Sequence, residues 1–308
     1  MTHLSRREFG ALTVAAIAAP LALPSPTAVA PISAAGVIDR IRKSIGVEWK
    51  SETVDTIKAG DPATVVSGVV ATAMASLNVL HQAVAAGANL VITCEPTFYS
   101  RSDLPGPPAG RGAGPAAASA VAAPASDPVY AAKNAFIEKN RLVVFRLNDH
   151  WRLRRPDPFA VGLAAALGWS IPQGSGNPSR HAIPPAALST LAQEIAKKLG
   201  SRGGVRVVGD PQTMVRTAAL LPGSTPIAAA LEALPAADVV VAGEVREWES
   251  VEYARDVTFS GQRKGLVLVG RVVSEEGGMR ECAKWLGTLV PEVPVRHVSA
   301  GDPYWRPA

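Results

Sequence analysis

The chain has 308 residues, 47% of them hydrophobic and 19% charged, which supplies a packed core for one large or two modest domains. Its net charge of +5 is scattered, the densest stretch after the N-terminal segment being Trp151-Arg152-Leu153-Arg154-Arg155. No long basic tract interleaved with aromatics appears, which argues against a nucleic-acid binder.

Residues 1–30 carry the marks of a twin-arginine export signal. Ser5-Arg6-Arg7-Glu8-Phe9 precedes an apolar run from Ala11 to Ala19, and Ala28-Val29-Ala30 supplies a small-x-small cleavage pattern. Pro31 is awkward for a peptidase, so cleavage near Ala34 or Ala35 is the alternative. The expected location is periplasmic or otherwise extracytoplasmic. No later stretch reaches 18 uninterrupted apolar residues, so no stable membrane span is expected once the signal is removed.

Next, Ala35–Gly46 has the spacing of a helix, with Val37, Ile38, Ile41 and Ile45 on one face. Residues 47–63 carry turn residues around a short extended piece near Val54. Val69–Ala71 is strand-like, Ser76–Ala86 helix-like, and Leu90-Val91-Ile92 a buried strand that ends at Cys94-Glu95. Residues 102–128, rich in Pro, Gly and Ala, form a surface loop long enough to be an insertion or lid. A helix (Ala131–Asn140) and a strand (Leu142–Arg146) then lead to Asn148-Asp149-His150. A connecting loop at 172–185 separates a first half (31–171) from a second (186–308).

The second half repeats the first. Glu95 aligns with Glu244 at an offset of 149, and no gap is needed over 27 residues. Ala218–Leu220, Thr225–Pro235 and Ala237–Val241 take the places of the first strand, helix and buried strand. Helix Glu249–Val257 and strand Leu266–Val269 complete the unit. The pattern predicts an α/β fold of duplicated βαβαβ units with layered α/β/α architecture. Strands apolar on both faces indicate parallel sheets covered by helices.

Function in such sheets gathers beyond the strands' carboxyl ends. That address collects Cys94, Glu95, Asn148, Asp149, His150, Glu244, Arg271 and the Ser274-Glu275-Glu276 run. Ser274 also suits a helix cap, with Glu275 and Glu276 in the first turn of a helix through Met279, Cys282 and Leu286. The two cysteines, Cys94 and Cys282, are either free buried thiols or a single disulfide.

These residues resemble the Nif-three-like family of dinuclear metal-centre proteins, also labelled GTP cyclohydrolase type 2-like. The matching stretches are Gly60-Asp61-Pro62, Val69–Tyr99, Phe136–Trp151, Gly243–Asp256, Gly265–Leu286 and Pro291–Trp305, of which GEVREWESVEYARD (243–256) is the most specific. The resemblance implies a duplicated α/β fold, a homo-oligomer in the form of a ring-like hexamer, and a two-metal site in each subunit. It also implies that the ligands are incomplete. Where the family has His followed by His or Glu, this chain has Cys94-Glu95. The position aligned with the family's next ligand is Arg152, and Arg271 replaces the His before the retained Glu275.

A guanidinium donates hydrogen bonds and has no lone pair for a metal, yet it matches a carboxylate at two points. The expectation is therefore a pocket in which Arg152 and Arg271 neutralise Glu95 and Glu275, with no metal cofactor. The alternative is one cation, zinc most plausibly, on Cys94, Glu95, Glu275 and either Asp149 or His150. Two functions follow: an exported binding or scaffold protein, or a metal-dependent hydrolase of a phosphorylated or nucleotide-like small molecule. A small anionic ligand held by Arg152, Arg154, Arg155 and Arg271 is a variant of the first.

Overall fold

Ser33 opens the first helix: its hydroxyl accepts a hydrogen bond from Gly36 N–H, one of the donors that a helix start leaves free. That helix, α1 (Ala34–Ser44), buries Val37, Ile38 and Ile41 along one stripe. The computed structural model describes residues 30–99, 103, 127–170 and 179–307. All but the last residue of the expected signal, and most of the 102–128 insertion, lie outside the described residues.

From α1 the chain runs through β1 (Ile57–Ala59), β2 (Val69–Thr72), α2 (Leu77–Ala85), β3 (Leu90–Thr93), α3 (Pro128–Lys139), β4 (Val143–Arg146), α4 (Asp149–Leu153) and α5 (Pro158–Leu167). It continues with β5 (Arg180–Ala187), α6 (Leu188–Leu199), β6 (Arg206–Val208), β7 (Met214–Ser224), α7 (Ile227–Ala236) and β8 (Val239–Glu244). A π-helical turn (Glu247–Val251) runs into α8 (Glu252–Phe259), followed by β9 (Gly265–Leu268), α9 (Arg271–Leu289) and β10 (Val295–His297).

The strands form two five-stranded sheets, ordered β1-β4-β3-β2-β10 and β5-β7-β8-β9-β6. Strands β2, β3 and β4 are parallel, as are β7, β8 and β9, and each trio is the centre of its sheet. Every residue of β2, β3, β4 and β9 is buried, because helices cover both faces. Alternate residues divide between two cores. Val69, Ala71, Leu90 and Ile92 meet α1 and α9, while Val70, Val91 and Val144 meet α2 and α3. In the second sheet Leu220, Val239 and Val241 meet α5 and α6, and Ala219, Val240 and Leu266 meet α7 and α8. The layered, duplicated α/β architecture is thus present.

The repeat extends further than the aligned strands and helices. Strand β6 follows β1 at the same offset of 149, each pairs antiparallel with the third parallel strand of its unit, and Gly60-Asp61-Pro62 recurs as Gly209-Asp210-Pro211. Both glycines have positive φ (90° and 128°), and a Cβ on either would overlap backbone at the start of that third strand.

Three features differ from the sequence expectation. Strand β5 starts inside the 172–185 segment. Strand β10, from the second half, pairs parallel with β2 and so belongs to the first sheet. The last helix begins at Arg271, one turn before Ser274, because Gly270 (φ 93°) turns the chain directly from β9 into α9. Ser274 is consequently not the cap: its hydroxyl donates to Arg271 O and accepts from Gly223 N–H.

Helix α9 packs most extensively against α5, where Gly162 faces Gly277 with no room for a side chain between the two backbones. Among the described residues no helix is long and apolar enough to cross a membrane. Gly162→Ala should destabilise the protein by about 3 kcal/mol through overpacking. Gly287→Ala, on the same helix in open space, should stabilise it by about 0.5 kcal/mol. Urea unfolding of both variants checks the pair.

Candidate functional site

The carboxyl end of β3 is held from both sides. Cys94 Sγ and Glu95 N–H both donate to Ala73 O, just beyond β2, at 3.2 and 3.0 Å. From beyond and within β4, Asn148 Nδ2 and Arg146 Nε donate to Cys94 O at 3.0 and 3.1 Å. The strand's last residues are thereby fixed with Cys94 and Glu95 buried at the head of the sheet. Helix α9 brings Arg271 and Glu275, one turn apart, to the same place from the other half. It approaches closely because Gly223 and Gly243, at the ends of β7 and β8, leave room: a Cβ on Gly223 would press on Glu275 and Arg152, and one on Gly243 on Ser274.

Cys94, Glu95 and Glu275 each offer a ligand atom within 4.8 Å of the others. Arg271 Nη2 lies 2.8 Å from Glu95 Oε2, and Nη1 is 3.9 Å from Glu244 Oε2, so one guanidinium joins the two repeat-equivalent glutamates. On the opposite side, Arg152 Nη2 lies 2.7 Å from Glu275 Oε1, and Nη1 donates to Pro222 O. Its guanidinium also lies over the Phe159 ring at 4.2 Å.

Burial, the Glu95 charge and a hydrogen bond to Glu95 push the Glu275 carboxyl well above the usual carboxylate range. Arg152 opposes this without overcoming it, since Arg152 is a third exposed and screened while Glu275 is dry. Burial, followed by Glu275 and Glu95, raises the Cys94 thiol well above its ordinary value. At Arg271, burial lowers the affinity for a proton, but the three surrounding carboxylates outweigh it and raise the pKa.

Other expected members lie elsewhere. His150 is fully buried and faces away from the cluster: Asp55 Oδ2 is 2.7 Å from Nδ1, Nε2 accepts from Lys50 N–H, and Trp49 stacks on the ring at 3.8 Å. The Asp149 carboxylate accepts from Thr53 Oγ1 and Val54 N–H. Asp55, missed from sequence, accepts from the backbone N–H groups of Asn148, Asp149 and His150 and so anchors the start of α4. The four arginines do not form one anion pocket. Arg154 is sandwiched near Trp151 and Trp285, and Arg155 donates to carbonyls of its own segment. Both cysteines are free and buried.

Could the cluster hold cations? A metal takes a thiolate and free carboxylate lone pairs. Here Glu95 Oε2 faces Arg271, Glu275 Oε1 faces Arg152, Cys94 Sγ lies 3.7 Å from Glu275 Oε2, and His150 and Asp149 are engaged by residues 50–55. The cluster thus offers one thiol and two carboxylates, each carboxylate paired at one oxygen with a guanidinium, while His150 and Asp149 are engaged elsewhere.

Above the cluster opens a cleft of about 1480 Å³ between the carboxyl ends of the two sheets, reached by Glu95, Asn148, Asp149, Glu244 and Arg271. No family model matches the sequence, and no curated protein matches it. Solved structures do match. A Bacillus cereus protein related to NIF3 is 14% identical, with a TM-score of 0.66, over 91% of this chain and all of the other. Staphylococcus aureus protein SA1388 is 15% identical, with a TM-score of 0.65, over 90% of this chain and all of the other. The chain has the NIF3-like fold. The protein ybgI, described as of unknown function, shares it at 18% identity and a TM-score of 0.62, over 89% of this chain and all of the other. At these identities the likeness is one of architecture, and the NIF3-like fold leaves the chemistry to the residues described above.

The raised Glu275 carboxyl sets a pH dependence. The native state retains a proton that the unfolded chain releases above about 4.5, the ordinary Glu value. Native stability should therefore fall as pH rises from there towards the folded-state pKa, and level off above it. Melting temperatures between pH 4 and 8 should show this decline in the wild type and a flatter profile in Glu275→Gln.

Proposed function

We propose that the chain is an exported member of the Nif-three-like family in which a guanidinium–carboxylate cluster stands in for the dinuclear centre. Its cleft binds a small molecule without metal chemistry. The observation that carries this reading is the pairing of Arg271 with Glu95 at 2.8 Å and of Arg152 with Glu275 at 2.7 Å. Each guanidinium sits at hydrogen-bonding distance on a carboxylate that would otherwise be a ligand, and delivers the positive charge a cation would bring. On this reading the cluster organises the floor of the cleft rather than attacking a substrate.

Export by the twin-arginine route and self-assembly belong to the same proposal. The metal-dependent hydrolase is the competing reading, favoured by the mutual proximity of the Cys94, Glu95 and Glu275 ligand atoms. Elemental analysis of the mature protein purified from the native host separates the two. Near zero metal per chain, with melting unchanged by a chelator, is the expected result; near two per chain sinks the proposal. Arg271→Ala should cost about 3 kcal/mol in chemical unfolding, since it strands the buried Glu95 carboxylate. The double variant Arg271→His and Cys94→His should gain zinc, measured by the same elemental analysis.

A further inference from the structure

The last residues of the chain form a strap that the proposed binding role does not yet use. After β10 the backbone leaves the first sheet and crosses to the loop before β6 in the second. Two anchors pin it there. Asp302 accepts from Ser201 Oγ and Gly203 N–H at 2.8 and 2.9 Å, and Arg306 donates to Gly203 O and Val205 O at 2.6 and 2.8 Å. Between the anchors stand Tyr304 and Trp305, which line the cleft yet are 68% and 69% exposed. Tyr99 lines the cleft too, from the end of the first sheet, and is 65% exposed. Its backbone φ of 64° is unusual for a bulky residue, and the buried Lys133 ammonium lies 5.0 Å from its ring centroid. The backbone that carries Tyr304 and Trp305 is thus anchored on both sides, Tyr99 keeps an uncommon φ, and all three side chains stand largely exposed at the cleft. Holding apolar surface in that way points to a ligand that covers it.

The charges narrow the ligand further. Around the cleft Arg271 is paired with Glu95 and Glu244, Arg246 with Glu249, and Arg206 with Glu247. Opposite charges cancel on the walls, which disfavours a strongly charged ligand. Such pairs still present N–H donors and carboxylate lone pairs to neutral hydroxyls. The volume of about 1480 Å³ exceeds the roughly 1,000 Å³ upper range for single small-molecule pockets. A neutral chain of sugar rings meets all three conditions: apolar C–H faces for the aromatic rings, hydroxyls for the paired charges, and length.

We infer that the cleft is an oligosaccharide-binding site, with Tyr304, Trp305 and Tyr99 as stacking platforms. This rests on the cleft being a binding site rather than a metal centre. The test is calorimetric titration of the full mature protein with soluble oligomers of glucose, N-acetylglucosamine and mannose. The expected result is saturable binding to at least one series, weakened about tenfold by Trp305→Ala or Tyr99→Ala and largely kept in Trp305→Phe. The proposal is overturned if no series binds, if the alanine variants bind unchanged, or if they alter the oligomeric mass while sugar binding is unaffected. Titration with the aromatic anion 8-anilinonaphthalene-1-sulfonate separates the levels. If it binds in the cleft while sugars do not, the sugar class fails and the binding role stands; if neither binds, both fail.

Discussion

Two carboxylates from opposite halves of the chain, Glu95 and Glu275, are driven into one buried pocket where the sheets meet. Like charges so close in a dry site repel by several kcal/mol unless something intervenes. Two things do. Arg271 and Arg152 bring positive charge from either side, and burial together with Glu95 drives Glu275 towards its protonated form. The thiol of Cys94 fits the same logic: placed beside two acids and away from water, its pKa is pushed up, and Sγ lies 3.2 Å from Ala73 O.

Much of the surrounding architecture serves to deliver those groups. Helix α9 must carry Arg271 and Glu275 to the strand ends of both sheets, so it has to run close to α5 and to the ends of β7 and β8. Glycines occur at these closest approaches: Gly162 against Gly277, Gly223 beneath the Arg152–Glu275 pair, and Gly243 beside Ser274. The positive φ of Gly270 starts the helix at Arg271, which places Glu275 one turn inside rather than at the solvent-facing first turn. A cap at Ser274 would have left Glu275 to the helix dipole and water. Beginning one turn earlier buries it.

The duplication was legible because parallel strands buried on both faces leave continuous apolar runs, and because the offset of 149 needs no gap. The same offset links Gly60-Asp61-Pro62 to Gly209-Asp210-Pro211, a repeat too short and too ordinary in composition to stand out in sequence, which the antiparallel edge strands beside it make plain. The strand-end rule brings Glu95, Arg271 and Glu275 to one place, as the structure has them, because it predicts where a backbone arrives. It does not predict where a side chain turns after that. His150 stands at the right address and points to Asp55, which lies in a turn-rich segment that carried no periodic signal. The crossing of β10 to the first sheet was equally hidden, since a three-residue strand has no pattern of its own.

On the proposed reading, exchanging metal ions for guanidiniums changes what the site depends on. A coordinated cation is gained and lost with pH, chelators and supply, whereas an arginine is part of the chain and stays charged throughout the physiological range. A protein exported already folded then needs no loading step before it crosses the membrane, and its cleft has the same floor in any compartment. The cost is chemical: a guanidinium can hold a carboxylate or a hydroxyl, but it cannot polarise a bound water into a nucleophile. What such a site keeps is position. Arg271 lies 2.8 Å from Glu95 and 3.9 Å from Glu244, equivalent residues of the two halves, and so links both sheet ends in the cleft that Tyr99, Tyr304 and Trp305 line. A close ion pair below and an anchored backbone at the rim suit a binding cleft, because ordering that is already complete before the ligand arrives does not have to be supplied by the ligand.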